Sequence, residues 1–230
     1  MNVGDQSSFN ATAGTLTNGG TIRLKALPAL VPGTYSPILA GGWLGNGKVQ
    51  PLGGSWNATT HLFTALAPLA GAAGNVVVVP LSANQRVFIT DPTAGSVQAA
   101  FMAGTASISF TASPISSQQQ SQLTGLLSAG QSVLAGWNFT ASGYKTGDPV
   151  FLSLTIPANL NLDDLAIWHL TGTTWSKFAP GDLSYDGTYA SFTVTGFSGY
   201  AVAGPLAVPE PSALGMLLLG AVNLARRRRR

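Results

Sequence analysis

Val150-Phe151-Leu152-Ser153-Leu154-Thr155-Ile156-Pro157 is the stretch from which the fold is read. Large apolar side chains stand at 150, 152, 154 and 156 and alternate with Phe151, Ser153 and Thr155. A period of two belongs to a strand, because successive side chains leave the backbone on opposite faces. The pattern predicts a half-buried strand that stops at Pro157, which has no amide hydrogen for a ladder. Further along, residues 165–170 and 174–178 flank Thr171-Gly172 and predict a hairpin. Tyr185-Asp186-Gly187-Thr188 predicts another, since Asp-Gly suits the two positive φ angles of a type I′ turn. Beyond it Ala190, Phe192 and Val194 share one face, and Ser191, Thr193 and Thr195 the other. Phe197-Ser198-Gly199-Tyr200-Ala201-Val202 closes the region. Short strands with turns at these intervals predict an all-β chain, with a β-sandwich-like module over 137–204.

Toward the N-terminus the pieces are shorter. Residues 1–20 are small and polar, with Asn18-Gly19-Gly20 as a turn signal. Strand-like segments follow at 21–27 and 33–39, each bounded by Pro or Gly. Residues 43–64 read as short strands with a turn at Asn57-Ala58-Thr59, between Ser55-Trp56 and Leu62-Phe63. Residues 75–81 carry four consecutive valines, a fully buried strand by length and β-branching. Residues 86–90, 97–102 and 106–111 continue the pattern. The exception is 116–135, where Leu123, Leu126, Leu127 and Leu134 fall near helical spacing and predict one short helix, interrupted near Gly130. The reading divides the chain into a β-rich region at 1–115, a helical linker at 116–136, the module at 137–204 and a tail at 205–230.

Composition excludes several function classes. The 230 residues include 28 Gly and 14 Pro, and only 8% are charged. The formal charge of +3 comes from the five terminal arginines; without them six Lys or Arg face eight Asp or Glu. A nucleic-acid partner requires a basic patch on the folded body, and the sequence offers none. There is no cysteine, so disulfides and thiolate chemistry are out of reach.

The residues able to carry chemistry are few. His61 and His169 are the two histidines, one beside a turn and one between Trp168 and Leu170 in a predicted strand. Neither has a second His at short spacing or a His-Glu pattern, so no zinc site is expected. No Gly-x-Ser-x-Gly elbow or P-loop lysine motif occurs. Asp163-Asp164 points to opposite faces if it lies in a strand. In a turn the pair has the chemistry for Ca²⁺, but its spacing matches no EF-hand loop. Trp43, Trp56, Trp137, Trp168 and Trp175 have the faces to stack on sugars, and equally the area to fill a core. Asn10-Ala11-Thr12, Asn57-Ala58-Thr59 and Asn138-Phe139-Thr140 are short sequon matches with little weight. No cofactor, metal or catalytic residue is expected.

The last 23 residues are of another kind. Val208-Pro209-Glu210-Pro211-Ser212 precedes an apolar run at 213–225, and Arg226, Arg227, Arg228, Arg229 and Arg230 end the chain. The two prolines hold the segment around Glu210 extended. Ser212 suits a helix N-cap, with Glu210 near the positive end of the helix dipole. The run is apolar on nearly every face, with Asn223 as its polar residue. Thirteen residues at about 1.5 Å each reach roughly 20 Å, short of the roughly 30 Å hydrocarbon core. This fits a transient span better than a permanent one, and the arginine block is placed to stay in the cytoplasm.

Proline-glutamate-proline, apolar helix and arginine block in that order resemble the PEP-CTERM sorting signal of Gram-negative bacteria, the substrate of exosortase. Residues 138–204 are similar, more loosely, to the β-module that often precedes such tails and ends in a Phe-Ser-Gly-Tyr-Ala-Val segment. The resemblance implies a protein exported across the inner membrane, held there transiently by its C-terminal helix and released to the cell surface or beyond. It implies exosortase as processing partner and a non-enzymatic, exopolysaccharide-associated role. The other reading is a secreted carbohydrate-binding or carbohydrate-degrading protein. Met1-Asn2-Val3-Gly4-Asp5-Gln6 carries no basic n-region, the first cation being Arg23, and no apolar h-region follows. A leader, with more of the first β-rich region, is therefore expected upstream.

Overall fold

The computed structural model describes residues 2–3, 9–17, 21–36, 38–44, 48–80, 86–102 and 106–205; for 2–3, 9–17, 38–44 and 48 it gives the backbone only. Among the described residues the chain is all-β apart from one α-helix and one 3₁₀ turn. Its N-terminal region contains β1 (Asn2–Val3), β2 (Phe9–Thr17), β3 (Thr21–Ala26), β4 (Gly33–Tyr35), β5 (Ile38–Leu44), β6 (Lys48–Leu52), β7 (Gly54–Asn57) and β8 (Leu62–Ala65). The C-terminal region opens with β9 (Leu69–Ala72), β10 (Val77–Val79), β11 (Arg86–Asp91), β12 (Gly95–Ala100) and β13 (Ile108–Pro114). It continues through α1 (Ser117–Thr124), β14 (Gln131–Ser142), β15 (Val150–Thr155), β16 (Ala166–Thr171), β17 (Thr174–Phe178), β18 (Ser184–Tyr185), β19 (Tyr189–Val194) and β20 (Gly199–Pro205).

The two regions are built differently. In the N-terminal one, β1, β3 and β6 form one parallel sheet and β2 and β5 another. Paired residues stand 23 to 29 positions apart, so each coil of chain lies on the one before it, as in a solenoid. β7 and β8 then fold back as an antiparallel hairpin whose β8 also pairs with β4, which ends the parallel stacking. Leu24, Ala26, Leu30, Phe63 and Ala65 fill the interior of these coils.

In the C-terminal region a pair of six-stranded sheets face each other, in orders β10-β13-β14-β20-β16-β17 and β18-β19-β15-β12-β11-β9. One continuous core lies between them, built from alternate residues of both sheets in the manner of a sandwich. The strands before and after 116–136 belong to the same sheet: β13 pairs with β14 from Ser109↔Ser142 to Pro114↔Trp137. That stretch thus connects two strands paired in one sheet. Its helix ends at Thr124, and Leu134 lies in β14 instead of on a helix.

Three local expectations are corrected. β15 is buried on both faces, not one: Val150, Leu152 and Leu154 enter the core, while Phe151 and Ser153 are equally sealed. The cover over Phe151 is Leu27 and Leu52 from the coils, a long-range contact that periodicity cannot announce. The valine run is not fully buried. β10 is an edge strand, with Val76 and Val78 exposed at 63% and 59% and Val79 turned into the core. The chain reverses at Gly187-Thr188, between Asp186 and Tyr189, rather than at Asp186-Gly187, and the turn is not type I′, because Gly187 alone of these two central residues has a positive φ, at 93°. β-branched Thr188 resists that region, and the Asp186 carboxylate accepts the amides of Thr188 and Tyr189 instead.

Both outer faces of the sandwich are partly covered. On one, α1 seats Leu123 against Trp168, Leu170 and Trp175. Ser116 and Gln119 close a capping box that starts the helix where the sequence has no acidic residue to do so. On the other, the coils dock through the side chains around Phe151.

Candidate functional site

The sorting-motif residues Val208, Pro209, Glu210, Pro211 and Ser212, and the block from Arg226 to Arg230, lie outside the described residues, as does the expected C-terminal helix. Among the described residues no helix is long and apolar enough to cross a membrane.

The other candidates are dispersed. His169 sits in β16 and stacks on Tyr200 at 4.6 Å between ring centroids. Burial pulls its pKa below the usual histidine value, so it is neutral at pH 7. His61, stacked with Trp56, is at the β7–β8 turn. Asn57 Oδ1 organises that turn by accepting the amides of Thr59 and Thr60. Asp163 and Asp164 lie in a 3₁₀ turn rather than a strand, with Asn161 donating to Asp164 Oδ2. Among the described residues no three His, Asp or Glu side chains gather as metal ligands. Trp137, Trp168 and Trp175 are buried, at 6% exposure or less, and so present no platform to a sugar. Trp56 is half-buried, and the Trp43 side chain lies outside the described residues.

Two clusters that the sequence did not single out are assembled by the fold. The first is the junction between coils and sandwich. Arg86 at the start of β11 is fully buried, and burial lowers its pKa from the usual guanidinium value. It donates through Nε and Nη2 to the Leu66 carbonyl at 3.1 and 2.7 Å, and through Nη1 to the Leu27 carbonyl at 3.0 Å. Gln98 Nε2 donates to the Ala26 carbonyl, and the Gly53 amide to that of Phe101. Lys25 pairs with Asp182 and lies over the Phe151 ring. Burial pushes the Asp182 carboxyl up, but the bonds from Lys25 and from the Thr193 hydroxyl and amide outweigh it. Its pKa ends below the usual carboxylate value. These groups fasten the coils to the sandwich.

The second cluster surrounds a cavity of about 410 Å³ at one end of the sandwich. Its walls come from the β11–β12 turn, the end of β13, α1 and a bulge in β14, where pairing with β20 shifts register between Val133 and Ala135. Asp91, Thr93 and Gln120 supply polar groups; Ile115, Val133 and Leu134 supply aliphatic surface. Ile115 holds its place because position 136 is glycine, where a Cβ would come within 2.5 Å of it. The sequence signal was Asp91-Pro92-Thr93, a turn opener between two strand patterns, which identifies a turn but not a cavity. No protein-family model matches this chain, and no curated protein matches it either.

Proposed function

We propose that the chain is an exported, non-enzymatic surface or matrix protein whose C-terminal tail is recognised by exosortase and removed near Pro209-Glu210-Pro211. The observation that carries this reading is the order of three blocks at the chain's end: Val208-Pro209-Glu210-Pro211-Ser212, an apolar run, and five arginines. The apolar run forms a short helix that holds the chain in the inner membrane, with the arginines arresting it on the cytoplasmic side. The extended Pro-Glu-Pro segment then stands just outside the bilayer, within reach of a membrane-embedded protease. Glu210, the one glutamate of the chain, is the group a recognition contact would single out. The released body associates with exopolysaccharide at the cell surface. Burial of Trp137, Trp168 and Trp175 favours a body that acts as scaffold over one that reads sugars with aromatic platforms.

The test is intact mass of the mature protein. The chain, supplied with a secretory leader, is expressed in matched Gram-negative cells with and without exosortase. The arginine-bearing tail is lost only where the enzyme is present. Mature protein that still ends at Arg230 in exosortase-positive cells would replace this reading with a plain C-terminal anchor.

A further inference from the structure

The cavity at the α1 end of the sandwich has a lining that selects its occupant. Asp91 uses one carboxylate oxygen locally: Oδ1 accepts the amides of Thr93 and Ala94, each at 2.8 Å. Among the described residues Oδ2 accepts no hydrogen bond, and no Lys or Arg is paired with this carboxylate. The surface around it is saturated hydrocarbon from Ile115, Val133 and Leu134, with no aromatic ring in the lining. A sugar is held best against an aromatic face, and an anion is repelled by Asp91. A cation with a saturated body satisfies both features, its charge meeting the carboxylate while its carbon chain takes the aliphatic walls out of water.

The chain already contains this chemistry once. Asp182 meets the ammonium of Lys25, whose stem lies in the apolar junction beside Phe151. From the cavity's shape and lining we infer that Asp91 forms the same kind of pair with an ammonium from outside the chain: the cavity binds a primary alkylamine. Asp91 Oδ2 takes the ammonium, the Thr93 hydroxyl and Gln120 side-chain carbonyl accept its remaining hydrogens, and Ile115, Val133 and Leu134 hold the alkyl chain. The inference is independent of the tail, because it uses groups between Asp91 and Gly136 alone.

The experiment titrates n-butylammonium into the full chain, with n-butanol as the neutral isostere, followed by calorimetry and by amide shifts of the β11–β12 turn. Butylammonium binds, and added salt weakens it. Asp91→Asn keeps an Oδ1 acceptor for the turn and removes the charge; it weakens butylammonium at least tenfold and leaves the melting midpoint near that of the parent. If that variant does not fold, Gln120→Leu, an exposed change on α1, is read in its place and weakens binding by several-fold. Absence of butylammonium binding overturns the inference. Equal binding of butanol, or binding that Asp91→Asn leaves intact, overturns it as well.

Discussion

Lys25 and Asp182 are 157 residues apart in sequence, and their contact ties the coils to the sandwich. The pair has a definite pH signature. Asp182 has a folded pKa below its unfolded value of about 3.9, so its stabilisation is fully present above that value and is lost as pH falls through the folded pKa. The thermal midpoint should therefore drop on acidification below about pH 4, and Asp182→Asn should both lower the midpoint at neutral pH and flatten the acid slope. An acid slope unchanged in that variant would assign it to other carboxylates. None of this was legible in the sequence, where Lys25 reads as one cation in a strand and Asp182 as a residue of a Gly-Asp loop. Arg86 is the sharper case, since a guanidinium in a strand pattern normally marks a solvated face. It is buried here because the Leu27 and Leu66 carbonyls converge on it, and only tertiary structure brings them there.

At the level of turns and strands, two glycines with positive φ separate backbone preference from space. Gly187 has φ 93°, and a Cβ added there would meet open space, so Gly187→Ala should cost about 1 kcal/mol, the conformational cost alone. Gly143 has φ 76°, and a Cβ there would stand 2.1 Å from the Ser107 carbonyl oxygen. Gly143→Ala should cost more than about 2 kcal/mol, because the β13–β14 ladder has to move apart as well. Equal shifts in denaturant midpoint for the two variants would refute that ranking. The strands themselves were largely legible. Alternation located β15 and β19, and Gly172 the β16–β17 hairpin, because each depends on neighbours in sequence. The parallel ladders were not, since β1, β3 and β6 pair across about 25 residues of dissimilar sequence. The cavity was hidden for the same reason: Asp91 and Val133 meet only when both sheets are in place.

For the whole molecule, the order of layers is coils, sheet, sheet and helix, with the two sheets sharing one core. Sequence reading recovered the all-β class but placed the internal boundary by composition. A glutamine-rich helical stretch looks like a linker even when strands pair across it, as β13 and β14 do. The placement of β20 has a mechanical consequence. This last described strand is central in its sheet, held along Gly199–Pro205 by β14 on one side and along Gly199–Ala203 by β16 on the other. Tension applied through the C-terminus runs along β20 and shears two ladders together, whereas tension on an edge strand opens one ladder bond by bond. Pulled between its N-terminus and Pro205 in a single-molecule force experiment, the sandwich should yield in one high-force event. Stepwise low-force extension from the C-terminal side would show that β20 peels. Load applied through Pro205 should thus meet the sandwich at its strongest seam, with the coils giving way before that strand does.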